Sequence, residues 1–110
     1  MGSTGLGELE LRVLLAVVRL GDGAYAVSVR DEIAARAGHD VSRGTIYVTL
    51  DRMARKGLLQ DRLGEPTAER GGKARRLFTA TAAGAQALRQ SLAGTRALLQ
   101  GLPADIEGAP

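Results

Sequence analysis

The 110 residues contain no cysteine, no tryptophan and a single histidine. Without thiols the chain can form neither a disulfide nor a zinc ribbon, which suits a reducing compartment. His39 stands alone and the carboxylates are dispersed, so no metal cluster or nucleophilic triad can be assembled within one subunit. No catalytic residue, metal or cofactor is therefore expected. Long apolar runs are missing too. VLLAVV, from Val13 to Val18, is bracketed by Arg12 and Arg19 and falls far short of the ~20 residues a membrane-crossing helix needs. The opening MGSTGL lacks a basic stretch leading into an apolar one, and has no Ser or Thr at position 6. Secretion and myristoylation are therefore not expected, and a cytoplasmic protein without a membrane partner is. The only aromatics are Tyr25, Tyr47 and Phe78, so a pocket for a planar small-molecule effector would have to be mainly aliphatic; whether there is an effector stays open.

The hydrophobic share of 45% with 25% charged residues is that of an ordered globular chain, and the length suits one core burying roughly 60–70% of the surface exposed on unfolding. The net charge of +3 is unevenly spread. Residues 42 to 76 hold nine basic side chains (Arg43, Arg52, Arg55, Lys56, Arg62, Arg70, Lys73, Arg75, Arg76) against four acidic ones, a local balance of +5, so the remainder carries −2. Such a split is the electrostatic footprint of a polyanion-binding surface. A merely solvated basic face is the plainer alternative.

Residues 6 to 20 place apolar side chains at 6, 9, 13, 14, 17 and 20, the spacing of a helix with a wide buried stripe. GDG at 21 to 23 is a turn, and a second helix runs through Ala26, Val29, Ile33 and Ala37 to a stop at Gly38. HDV is a connector or a single bridging strand, with His39 expected at the surface. Ser42 is the N-cap of a third helix. Ile46, Leu50, Met53 and Leu58 fall on one side; Arg43, Thr45, Thr49, Arg52 and Lys56 fall on the other, and Gly57 ends it. LLQDRL (58 to 63) and RRLFTAT (75 to 81) alternate as the strands of a β-hairpin with a Gly- and charge-rich tip. Residues 82 to 102 return to helical spacing, with Ala85, Leu88, Leu92, Thr95, Leu99 and Leu102 stepping as a heptad seam.

The expected fold is thus mainly α with a small β-hairpin: a winged helix-turn-helix over residues 6–81, followed by a dimerisation helix at 82–102. A disordered start (1–5) and a flexible tail (103–110) flank them. Small hydroxyls near the start of the third helix let it enter a major groove about 12 Å wide, where Arg43, Thr45, Thr49 and Arg52 would read bases. The tip ERGGKARR supplies Arg70, Lys73, Arg75 and Arg76 for the phosphate backbone or a minor groove. The same parts also suit a protein-interaction module that docks an acidic partner. GGK at 71 to 73 evokes a phosphate-binding loop, but position 67 is Thr where Gly is required and position 74 is Ala where Ser or Thr would hold magnesium. A winged helix already closes its core, so the leucines of the last helix, Leu88, Leu92, Leu99 and Leu102, would lie bare unless a second copy covered them. Packing within the subunit is the commoner fate of such a stripe.

Four blocks in order, GELELRVLLAV, GAYAVSVRDEI, VSRGTIYVTLDRMARKGLL and ERGGKARRLFTATAAG, resemble the PadR family of winged-helix transcriptional regulators over about residues 6 to 100. The resemblance implies a homodimeric repressor on double-stranded DNA, reading a palindromic operator, whose first and last helices form the dimer interface. It also implies that Ser42, Gly44, Thr45, Tyr47, Thr49 and Arg52 sit on the DNA side of the recognition helix, with Gly71, Gly72, Lys73, Arg75 and Arg76 in the wing. Val48 and Val27 depart from the proline and tyrosine common in the family. Tyr47 suits either a helix edge with its hydroxyl on a phosphate or the closing of the core; the resemblance favours the phosphate.

Overall fold

The computed structural model describes residues 5–66 and 74–107. The chain runs through α1 (Glu8–Leu20), a 3-10 turn (Gly21–Gly23), α2 (Ala26–Ala37) and α3 (Arg43–Arg55). Then come β1 (Leu59–Leu63), β2 (Arg76–Ala80), α4 (Ala82–Leu99) and a single turn, α5 (Ala104–Glu107). Each of α1 to α4 starts where a side chain accepts from an amide of the cap or the first turn. Glu10 Oε1 accepts from the Gly7 amide, Ser28 Oγ from Tyr25, Ser42 Oγ from Thr45 and Thr81 Oγ1 from Gly84. α2 and α3 end against Gly38 and Gly57, whose φ of 61° and 81° let the chain turn back at little steric cost.

Val13, Leu14 and Val17 of α1 pack against Val29 and Ile33 of α2 and Ile46, Leu50 and Met53 of α3; Leu59, Phe78 and Leu88 close the core from the hairpin and α4. β1 and β2 are antiparallel, with Leu59 opposite Ala80 and Leu63 opposite Arg76. The Phe78 amide donates to the Ala24 carbonyl at 2.9 Å, which ties the root of the wing to the turn before α2.

α4 departs from expectation at both ends. Leu88 is 8% exposed and belongs to this subunit's own core, and Leu92 packs against that core. At the far end the helix stops at Leu99: Gln100 is extended, Gly101 is left-handed with φ 79°, and Pro103 has no amide to offer and restricts Leu102. Leu102 therefore lies beyond the helix, off the expected seam. Past Leu92 the helix extends from the core with Leu98 and Leu99 exposed.

Candidate nucleic-acid interface

The first turn of α3 lies at the surface, with Ser42, Arg43, Gly44 and Thr45 all exposed. Ser42 Oγ accepts from the Thr45 amide at 3.1 Å and donates to Thr45 Oγ1 at 2.9 Å, so it is spent on the cap. Arg43 projects from the same turn and, among the described residues, meets no acid and no hydrogen-bond acceptor. It lines a cleft of about 400 Å3 that also takes in Tyr25, Gly44, Tyr47, Arg75 and Arg76, where the starts of α2, α3 and β2 converge.

Ion pairs sort the basic residues of this region into two groups. Lys56 Nζ lies 2.9 Å and Arg52 Nε 3.7 Å from Glu10 Oε2. Arg55 pairs with Asp51 at 2.9 Å, and Arg76 bridges Asp51 at 2.9 Å and Asp61 at 2.7 Å. Lys56 and Arg52 tie the end of α3 to α1, Arg76 ties the hairpin to α3, and Arg55–Asp51 is a pair within the helix. Arg43, Arg62 and Arg75 have no acidic partner among the described residues. Arg70, Gly71, Gly72 and Lys73 lie outside the described residues.

The carboxylates record the same division. The Gly7 amide, followed by Lys56 and Arg52, holds Glu10 below the usual carboxylate range despite its burial. Asp51 is also lowered, first by the hydrogen bond from Arg76 and then by Arg55. For Arg76, burial opposes the charge, but bonds to Asp61, Asp51 and Tyr47 outweigh it and raise its pKa.

Several expected contact residues are therefore placed differently. Thr49 is 2% exposed, and its hydroxyl donates to the Thr45 carbonyl at 2.8 Å within the helix, so it cannot meet a base. Arg52 leans toward Glu10 rather than along the groove-facing side. Arg76 is a strut between α3 and the hairpin, and its guanidinium lies 4.9 Å from the Phe78 ring centroid. Its Nη1 donates to the Tyr47 hydroxyl at 2.9 Å, so Tyr47 sits at the helix edge, 44% exposed, outside the core. Arg75 stacks 4.4 Å over the Tyr25 ring with its Nε buried and unpartnered among the described residues. His39 is half-buried, its Nδ1 accepting from Arg12 at 2.8 Å.

The sequence pattern gave no sign of Glu10 as the anchor of α3, since Lys56 is 46 positions away. Nor did it single out Tyr25, whose ring is the platform for Arg75. Among the described residues no group of three or more His, Asp or Glu is placed to hold a metal, and no helix is long and apolar enough to cross a membrane.

A family model of PadR-like transcriptional regulators matches residues 14–90, most of the chain. The chain belongs to this PadR-like family. The fold is shared with the PadR-like transcription factor of Bacteroides fragilis: TM-score 0.69, 27% identity, 82% of each chain covered. A PadR family regulator of Eggerthella lenta DSM 2243 is similar at TM-score 0.65 and 27% identity, over 84% of this chain and 82% of that one. Bacillus subtilis PadR, solved in complex with operator DNA, matches at TM-score 0.65 and 17% identity, over 87% of this chain and 49% of that one. No curated protein matches the sequence. In this winged-helix frame α2 and α3 form the helix-turn-helix and the β1–β2 hairpin follows it.

Proposed function

We propose that this PadR-like regulator is a homodimeric repressor that reads a palindromic operator in double-stranded DNA. The observation that carries the proposal is Arg43: an exposed guanidinium in the first turn of α3, without an acidic partner among the described residues while four nearby cations are paired with Glu10, Asp51 and Asp61. In this reading Arg43 addresses a base edge in the major groove, with Thr45 beside it. Arg75, held on Tyr25, and Arg62 on β1 face the phosphates, joined by Arg70 and Lys73 of the sequence between the two strands. Ser42 and Gly44 bring the start of the helix close without bulk. The operator complex of Bacillus subtilis PadR supports the assignment of a DNA partner. Two-fold pairing through α1 and the distal part of α4 covers Leu98 and Leu99, and sets two recognition helices about 34 Å apart.

The test is fluorescence anisotropy of the purified protein on the DNA upstream of its own gene and on a scrambled duplex, at several salt concentrations, followed by selection from a random duplex library. Specific binding at least ~10³ tighter than to scrambled DNA, falling steeply with salt, is the expected result. Arg43→Ala lowers discrimination at one base pair per half-site by about 1–3 kcal/mol. Equal, weak binding to every duplex refutes the assignment and leaves the acidic-partner module standing.

A further inference from the structure

The buried stripe of α3 consists of Ile46, Thr49, Leu50 and Met53. At about 100° per residue, the direction opposite that stripe runs through Gly44, Val48, Asp51 and Arg55. This is the side of α3 turned away from the domain's core. Asp51 and Arg55 on it are bonded to each other at 2.9 Å, and Asp51 is held by Arg76 as well. Nearer the helix start, the line carries no polar side chain. Gly44 has none, and an added Cβ there would meet nothing within 4 Å. Val48, one turn on, is 58% exposed. Tyr47 beside it is turned toward the hairpin by Arg76, and Thr45 is tied to Ser42.

A branched hydrocarbon at the centre of an outward face is a poor solute and a good match for another hydrocarbon. In the major groove the base-pair edges present only one, the thymine C5-methyl group. We propose that Val48 is a specificity-determining residue that packs on a thymine methyl in each half-site, with the bare Gly44 letting the helix approach closely enough for contact. The inference rests on the DNA-binding reading above and adds to it a base that the polar side chains would not select.

Replacing thymine by deoxyuridine removes that methyl and leaves every hydrogen-bonding group in place. A duplex selected from a random library by the protein itself is remade with each thymine changed to deoxyuridine in turn, in both half-sites. Affinities are then measured for the native protein and for Val48→Ala. The native protein is expected to lose about fourfold per half-site at one thymine position, the value of returning one buried methyl to water. Val48→Ala binds the two duplexes alike while keeping its preference at the other positions, and, being a surface change, melts like the native protein. Indifference of the native protein to deoxyuridine everywhere, or the same fourfold loss in Val48→Ala, overturns the proposal while leaving the DNA-binding reading intact. Failure of any duplex to be enriched over scrambled DNA overturns both.

Discussion

Gly84 and Gly94 both lie in α4, and replacing each by alanine is expected to shift stability in opposite directions. In a helix interior the exchange is worth about 1 kcal/mol in favour of alanine, because glycine gives up more backbone freedom on folding. At Gly94 nothing stands within 4 Å of an added Cβ, so most of that gain survives. At Gly84 the added carbon would overlap the carbonyl oxygen of Leu58 and crowd its carbonyl carbon. Both are backbone atoms, and that backbone cannot swing aside. The Leu58 amide donates to Met53, its carbonyl accepts from the Thr81 amide at 3.1 Å, and Thr81 Oγ1 donates to the neighbouring Gly57 carbonyl. Relief requires α4 to lift away from the α3–β1 turn, loosening Leu88. Overpacking of this kind costs ~1–3 kcal/mol, and a rigid partner places it at the upper end; less the propensity gain, about 2 kcal/mol of destabilisation remains. For a chain of this size that is a fall of roughly 8 °C in Tm for Gly84→Ala, against a rise of a few degrees for Gly94→Ala. Thermal and urea unfolding at one protein concentration measure both. A Gly84→Ala variant within ~0.5 kcal/mol of the native protein, at unchanged m-value, refutes the close approach of α4 to the turn.

Three further outcomes are expected. Glu10→Gln lowers stability at neutral pH by ~1–3 kcal/mol, since a charged acceptor for Gly7, Lys56 and Arg52 is lost. Because its folded pKa is depressed, the Glu10 contribution is present above the ordinary carboxylate range and disappears as pH falls through the lowered value, so native and variant unfolding midpoints converge below about pH 4. Leu99→Asp shifts the proposed homodimer toward monomer in sedimentation velocity while leaving the subunit folded; Leu88→Ala, in the core, lowers the unfolding free energy by ~2–5 kcal/mol instead. A Leu88→Ala subunit that dissociates without losing stability contradicts this division. Arg62→Ala weakens binding to all duplexes alike and reduces the slope of log affinity against log salt by about one; a base-specific loss contradicts its phosphate role.

α3 was legible in the sequence because its signals are local: a Ser42 cap, apolar positions at 46, 50 and 53, and a glycine at 57. Which way its polar residues point was not, for two physical reasons. A threonine can enter a core when its hydroxyl finds a carbonyl one turn back, so Thr49 reads as surface in a polarity pattern and is buried in the fold. Long cations are flexible enough to seek an acid elsewhere, and Glu10 lies dozens of positions from Lys56 and Arg52. The heptad spacing of α4 had the same ambiguity, since steps of three and four describe a stripe without saying whose core it joins; Leu88 and Leu92 join this subunit's. The helix stop at Leu99, by contrast, had its signals in Gly101 and Pro103. A surplus of basic residues along a segment overstates what a DNA partner meets, because the acids that consume those charges come from other elements. Once Arg52, Arg55, Lys56 and Arg76 are assigned to Glu10, Asp51 and Asp61, the described part of the segment keeps Arg43, Arg62 and Arg75. Arg43 borders the open, uncharged start of the outward face formed by Gly44 and Val48. On the proposed reading Arg62 and Arg75 hold the phosphates, whereas Arg43 and the uncharged start of the face, Gly44 and Val48, choose the site.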